Sequence, residues 1–104
     1  MPAWTFITNH GLVLSHISLQ PSSTAVEIAT AVGITERAVR RIIADLDTEG
    51  YITRRKKGRR NVYRVNPDLS LRHDSKQEIL VGTLLEALGW KRRARRSKKQ
   101  PSVP

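Results

Sequence analysis

A glycine between two short stretches of helical periodicity is the feature that most limits how this chain folds. Before Gly33, the pattern Thr24-Ala25-Val26-Glu27 matches a capping box and opens a run with apolar residues at helical spacing. After Gly33, Thr35 is placed to cap a second helix, whose apolar residues recur every three or four positions up to about Glu49. Glycine tolerates the left-handed backbone of a tight turn, so the sequence predicts two helices that cross steeply.

Two further helices are predicted outside this pair. Residues 8–18 have an apolar side and a threonine or asparagine at the start, and Pro21 prevents continuation. Residues 75–88 open with a second capping-box pattern and stop at Gly89. The last helix either forms a dimer seam with the first or packs on the core of its own domain. Its apolar stripe consists of Ile79, Leu80, Leu84, Leu85 and Leu88.

Between these helices the sequence pattern becomes strand-like. Residues 51–53 and 62–65 are rich in β-branched and aromatic side chains and flank Lys57-Gly58, which predicts a β-hairpin. With the turn centred on that dipeptide, Ile52 faces Tyr63 across the ladder. The predicted fold class is therefore α+β, mainly α, with a three-helix core, a hairpin and a C-terminal helix.

The positive charge of the chain is concentrated in two segments. The formal net charge is +10 over 104 residues, and segments 54–64 and 91–99 each hold seven basic residues and no acid. The rest of the chain therefore carries a formal charge of −4. Two dense basic segments indicate a polyanionic partner, most commonly nucleic acid. We expect one domain over residues 1–90 and a disordered basic tail over 91–104, which either contacts phosphates or only solubilises the chain.

Several functional classes lack support in the sequence. There is no cysteine, no nucleophile–base arrangement and no glycine-rich phosphate loop. The histidines at 10, 16 and 73 lack an accompanying acidic pair, so we expect no metal and no cofactor. No apolar run approaches the roughly 20 residues of a membrane span, and no secretory signal is evident. We therefore expect a cytoplasmic, nucleoid-associated binding protein without a membrane partner, and not an enzyme.

The helix predicted over 35–49 has an outward side rich in arginine. Once its apolar residues face the core, helical geometry exposes the residues near its start. Arginine there can donate to guanine O6 and N7 in the major groove of DNA. The alternative is an ordinary solvated face, in which Arg40 pairs with Glu36 and Arg41 with Asp45. The candidate contact residues on this helix are Thr35, Glu36, Arg37, Arg40 and Arg41.

The hairpin over 54–61 is the second candidate contact. Six of the seven residues at positions 54–60 are basic, and we expect them to oppose one another across the ladder unless an anion compensates. A DNA backbone or minor groove would supply that anion. Protection of an edge strand against aggregation is the alternative explanation. The candidate contact residues on the hairpin are Arg54, Lys56, Lys57, Arg59 and Arg60.

These features together resemble one family over residues 8–88. The residues that carry the resemblance are Ala29, Gly33, Ile34, Val39 and Ile42, with the segments 34–39 and 58–63. They are similar to winged helix-turn-helix transcription regulators of the MarR/ArsR-like kind, in particular small prokaryotic members.

The resemblance implies a function for each element. It implies a recognition helix over 35–49 in the major groove of double-stranded DNA and a wing over 54–61 on the backbone or minor groove. It also implies a homodimer on palindromic sites. The cysteines of ArsR-type metal sensing are absent, and a small-molecule effector stays undetermined. Two alternatives stay open: an architectural protein that binds DNA without sequence preference, and a winged-helix module that binds another protein.

Overall fold

Three helices pack around one apolar core, and each of them begins at a threonine. The computed structural model describes residues 6–71 and 79–91. The side-chain oxygens of Thr8, Thr24 and Thr35 each accept a hydrogen bond from a first-turn backbone N–H. These local caps fix the helix starts, so the predicted helices and the capping box of the second helix are confirmed. The helices are α1 (Asn9–Leu19), α2 (Ala25–Val32) and α3 (Glu36–Thr48).

The turn between α2 and α3 depends on Gly33. Its φ is 88°, and its backbone N–H donates to the Ala29 carbonyl at 2.8 Å. Only glycine adopts this conformation without strain, and the turn lets α3 cross back over α2. Ile28 and Val39, one on each side of the turn, are both fully buried. The two helices predicted on either side of Gly33, and the left-handed backbone predicted for this glycine, are therefore confirmed.

The chain after α3 forms the predicted hairpin. Strand β1 (Ile52–Lys57) pairs antiparallel with strand β2 (Arg60–Val65). Gly58 opens the two-residue turn with a φ of 63°. The backbone N–H of Tyr63 donates to the Pro21 carbonyl at 3.0 Å, which ties β2 to the loop between α1 and α2.

The strand pairing differs from the predicted register by two residues. Ile52 lies opposite Val65, so the predicted pairing of Ile52 with Tyr63 is wrong. The reason is the turn, because Gly58 and not Lys57 occupies its first position, where a left-handed backbone is favourable. A shift of two keeps Ile52 and Tyr63 on one face, and both are buried.

The last helix is shorter than predicted. α4 comprises Val81–Ala87, whereas the sequence pattern predicted 75–88. Before it, the Leu71 N–H donates to the Ile79 carbonyl at 2.9 Å, and the Val81 N–H donates to the Leu69 carbonyl at 2.7 Å. These backbone bonds hold the chain extended up to the start of α4, so the continuous longer helix is wrong. The second predicted capping box and the tail beyond residue 91 lie outside the described residues.

The apolar stripe of this segment divides between the core and the surface. Leu85 of the stripe is 1% exposed and belongs to the core cluster of the domain, together with Val81, which is 4% exposed and was not part of the predicted stripe. Ile79, Leu80 and Leu88 are 41%, 38% and 36% exposed. Packing on the chain's own core therefore accounts for one part of the stripe and leaves the other part at the surface.

We expect Leu85→Ala to lower the free energy of unfolding by about 2–5 kcal/mol, because it leaves a cavity in the core. Leu88→Ala is the matched control on the same segment, and we expect a change of about 0.5 kcal/mol for this surface position. Urea denaturation followed by circular dichroism measures both. Equal losses in the two variants would contradict the division of the stripe.

Candidate nucleic-acid interface

Helix α3 has a buried face and an exposed arc. The buried face consists of Val39, Ile42, Ile43 and Leu46. The exposed arc carries Arg37, Arg40 and Arg41 in its first half and Asp45 in its second. The arginines therefore stand where the sequence predicted them, on the solvent side near the start of the helix.

Two candidate residues at the start of α3 have structural partners. The Thr35 hydroxyl accepts a hydrogen bond from the Ala38 N–H at 3.0 Å, which caps the helix. Oε2 of Glu36 accepts from Nε of Arg40 at 3.0 Å, one helical turn away. Thr35 and Glu36 thus shape the start of the helix, and Glu36 orients one of the three arginines.

The other arginines of α3 are not paired as an ordinary solvated face would require. The pairing of Arg40 with Glu36 is present, but Asp45 does not pair with Arg41. Instead, Nε2 of His10 on α1 lies 2.8 Å from Oδ2 of Asp45, a contact across two helices that local spacing does not reveal. Within residues 6–71 and 79–91, neither Arg37 nor Arg41 forms an ion pair.

The hairpin, called the wing from here on, separates most of its cations across the ladder. Lys57 lies opposite Arg60, but Lys56 lies opposite Asn61 and Arg54 opposite Tyr63. The prediction that the basic residues oppose one another is therefore wrong except for one pair. The same two-residue shift of register explains the difference, because it matches cations with uncharged partners.

Two wing arginines are bonded to the body of the domain. Nη2 of Arg54 lies 3.4 Å from Oδ2 of Asp47 on α3. Nη1 of Arg60 donates to the Ser22 carbonyl at 2.8 Å, and its Nη2 lies 3.5 Å from Oε2 of Glu27 on α2. Exposed pairs of this kind each contribute about 0–1 kcal/mol, so they orient the wing more than they stabilise it. The remaining wing candidates, exposed and without an ion pair among the described residues, are Lys56, Lys57 and Arg59.

Glu27 connects the wing to the start of α2. Its Oε1 accepts from the Thr24 N–H at 2.8 Å, which completes the capping box. This hydrogen bond lowers the pKa of Glu27 below its usual 4.5. Loss of hydration raises the pKa and opposes the shift, whereas the Arg60 guanidinium lowers the pKa further. The ionised carboxylate therefore serves both the cap and the wing.

Sequence reasoning missed two basic residues on the wing and the residues that anchor it. Arg55 and Arg64 are exposed and were not among the candidates. Arg64 lies between the less exposed Tyr63 and Val65, and this alternation was an available signal, since successive side chains point to opposite faces. Arg55 is flanked by exposed residues and had no such signal. The anchor at the Ser22 carbonyl had no sequence signal, because it depends on contacts distant in sequence.

The described part of the chain holds no group of three metal-ligating side chains. His16 contacts the Ser23 hydroxyl at 3.0 Å, and His73 lies outside the described residues. Among residues 6–71 and 79–91, no helix has the length and apolar character needed to cross a membrane.

Comparison with known proteins agrees with this architecture. Residues 8–53 match a family described as winged helix-turn-helix DNA-binding. This match covers all three helices of the core and the start of the wing. This segment of the chain is therefore similar to a winged helix-turn-helix DNA-binding domain, and the predicted α+β fold class is confirmed.

Solved structures show the same fold. One similar structure, from E. coli, is described as the predicted DNA-binding transcriptional regulator. It has a TM-score of 0.54 and 20% sequence identity to this chain, and the match covers 75% of this chain and 70% of that chain. Another is MepR, a transcription regulator of the Staphylococcus aureus multidrug efflux pump MepA, with a TM-score of 0.52 and 20% identity. The matched region covers 80% of this chain but 61% of MepR. Among curated protein sequences, none matches significantly.

We expect the stability of the domain to depend on the ionisation of Glu27. Because the pKa is lower in the folded chain, the carboxylate stabilises the fold above pH 4.5, and this contribution is lost as pH falls through the folded pKa. Glu27→Gln retains an amide oxygen for the cap but cannot ionise, so the fall in melting temperature below pH 4.5 should be shallower. Differential scanning calorimetry over a pH series measures this slope.

Arg60→Ala is the companion variant, because it removes the positive charge and the side-chain hydrogen bond of Arg60, both of which lower the pKa of Glu27. This variant should show part of the change expected for Glu27→Gln in how steeply the melting temperature falls with pH. If the melting temperature of Glu27→Gln falls with pH as steeply as that of the unsubstituted chain, the assignment of this stabilisation to Glu27 is wrong.

Proposed function

We propose that this protein is a sequence-specific regulator of transcription that binds double-stranded DNA, with α3 in the major groove. The observation that carries the proposal is the exposed, unpaired state of Arg37 and Arg41 near the start of α3. Arginine on a helix of this kind can donate two hydrogen bonds to one guanine. Two solved structures of similar fold are described as transcription regulators, which supports the regulatory part of the proposal.

The charge distribution along α3 argues that the arginines are placed for a ligand. A helix N-terminus is electropositive and its C-terminus electronegative, so cations at the start and anions at the end are both unfavourable. α3 nevertheless has Arg37 and Arg41 in its first half and Asp45 and Asp47 in its last turns. The two acids have partners in His10 and Arg54, whereas the two arginines have none among the described residues. A nucleic acid supplies the missing anion.

The wing serves as the second contact in this proposal. Lys56, Lys57 and Arg59 at its exposed end contact the DNA backbone or the adjacent minor groove. The basic tail over 91–99 adds phosphate contacts without sequence preference. The activity is binding without catalysis, and it takes place on nucleoid DNA in the cytoplasm.

The experiment that tests this function is selection from a randomised DNA pool with the full-length protein, followed by fluorescence anisotropy on the enriched duplex. We expect enrichment of one sequence. Binding without enrichment would favour an architectural protein. Absence of binding would leave the protein-interaction module, and either result would contradict a sequence-specific regulator.

Variants on the two contacts should behave differently on the enriched duplex and on random DNA. We expect Arg41→Ala to weaken binding by about 1–3 kcal/mol, mainly on the enriched sequence, because the residue reads bases. Lys57→Ala should weaken both duplexes similarly and reduce the salt dependence of binding, because the residue contacts phosphate. Equal losses on both duplexes for both variants would contradict this division of roles.

We also propose that the protein acts as a homodimer through the segment that leads into and contains α4. The apolar side chains of Ile79, Leu80 and Leu88 are more than a third exposed. Covering such residues with a second copy would remove apolar surface from water. A two-fold dimer of this kind would bind palindromic sites.

Ile79→Glu should shift the protein to a monomer, because a carboxylate in an apolar seam is not compensated. Sedimentation velocity at several protein concentrations measures the assembly. Val26→Glu is the matched control, since Val26 is 55% exposed on α2 and lies outside the proposed seam. A dimer that persists in Ile79→Glu, or dissociates equally in Val26→Glu, would contradict the proposed seam.

A further inference from the structure

The wing has two different faces. Residues directly opposite one another in a ladder share a face, so Thr53 lies with Arg64, and Arg55 lies with Val62. These four residues define the outer wing face. The other face contains Ile52 and is buried at that residue, and its Arg54 reaches Asp47 on α3. The outer wing face thus points away from the contacts that join the wing to α3.

The outer wing face forms one wall of an open groove of about 910 Å³. The end of α1 and the segment after α4, with Trp90 and Lys91, form the rest of the lining. Three cations line the groove, Arg55, Arg64 and Lys91, and Asp68 is the acid among its lining residues. None of the three cations forms an ion pair among the described residues.

The path of the chain after α4 brings Lys91 to this groove. Gly89 has a φ of 112°, and the Trp90 N–H donates to the Leu85 carbonyl at 2.9 Å. The Trp90 side chain is partly buried against the core. Because Trp90 is held in this way, the basic segment starts beside the wing. Residues 92–99 add six more basic residues in sequence.

We propose that the outer wing face, together with Lys91, is a second DNA-binding surface. It binds the sugar–phosphate backbone of the duplex that flanks the site bound by α3. The inference rests on the proposed function and adds where the flanking duplex lies. The groove is open and its cations are exposed, which suits an extended polyanion better than a small enclosed anion. Neutralising phosphates there releases counterions and strengthens binding.

The test compares duplexes that carry the enriched sequence with short flanks and with flanks longer by about one helical turn, about 10 bp, on both sides. If selection enriches no sequence, the unselected pool is used at the same two lengths. The full-length protein and the variants Arg55→Ala and Arg64→Ala are titrated over a salt series. The plot of log K against log salt concentration has a negative slope, and each removed phosphate contact reduces the steepness of this slope by about 0.9.

We expect each variant to lower this slope by about 0.9 on the long duplex and to leave it unchanged on the short one. Arg59→Ala, at the tip of the wing, is the matched control and should lower the slope on both duplexes. Both test positions are exposed, so melting curves should match the unsubstituted chain.

Equal reductions on the two duplexes would place these residues in the central contact and overturn the inference. Unchanged slopes on both duplexes would also overturn it, and would leave the groove to a small anion or to no ligand. Failure of the unsubstituted protein to bind either duplex would instead contradict the proposed function itself.

Discussion

The burial of one face of α3 is the constraint on which the rest of the structure depends. Val39 and Ile42 pack against α1 and α2, and Gly33 provides the turn that makes this packing possible. A helix that is fixed in rotation by its apolar face has no freedom in what it exposes. Arg37 and Arg41 therefore face solvent as a consequence of packing in the core. The proposed DNA-contact surface is in this sense set by residues of the core.

The wing depends on the same core through a small number of polar contacts. Ile52 and Tyr63 anchor its base, and Arg54 and Arg60 connect its strands to α3 and to the loop before α2. These polar contacts are exposed and individually weak, so the buried residues at the base of the wing contribute the larger part of its attachment to the domain.

Local features of the sequence were sufficient to predict some elements and insufficient for others. The starts of α1 to α3 follow from threonine caps within three residues of the bonded N–H groups. The strand register was missed because it depends on which residue of the turn adopts a left-handed backbone. The start of α4 was missed because the backbone of Leu69 and Leu71 pairs with the chain before the helix. The exposed arginines were predicted, but the partner of Asp45 was not, since His10 lies 35 residues away.

We propose that DNA contacts the first half of α3 and the tip of the wing. The most direct test is a titration of the ¹⁵N-labelled full-length protein with the enriched duplex, followed by amide chemical shifts in NMR spectra. If DNA binds there, the largest changes in amide chemical shift are expected at Arg37, Arg41 and Gly58, with little change at Leu85 in the core. Changes concentrated on α4, with Arg37 and Arg41 unaffected, would contradict it.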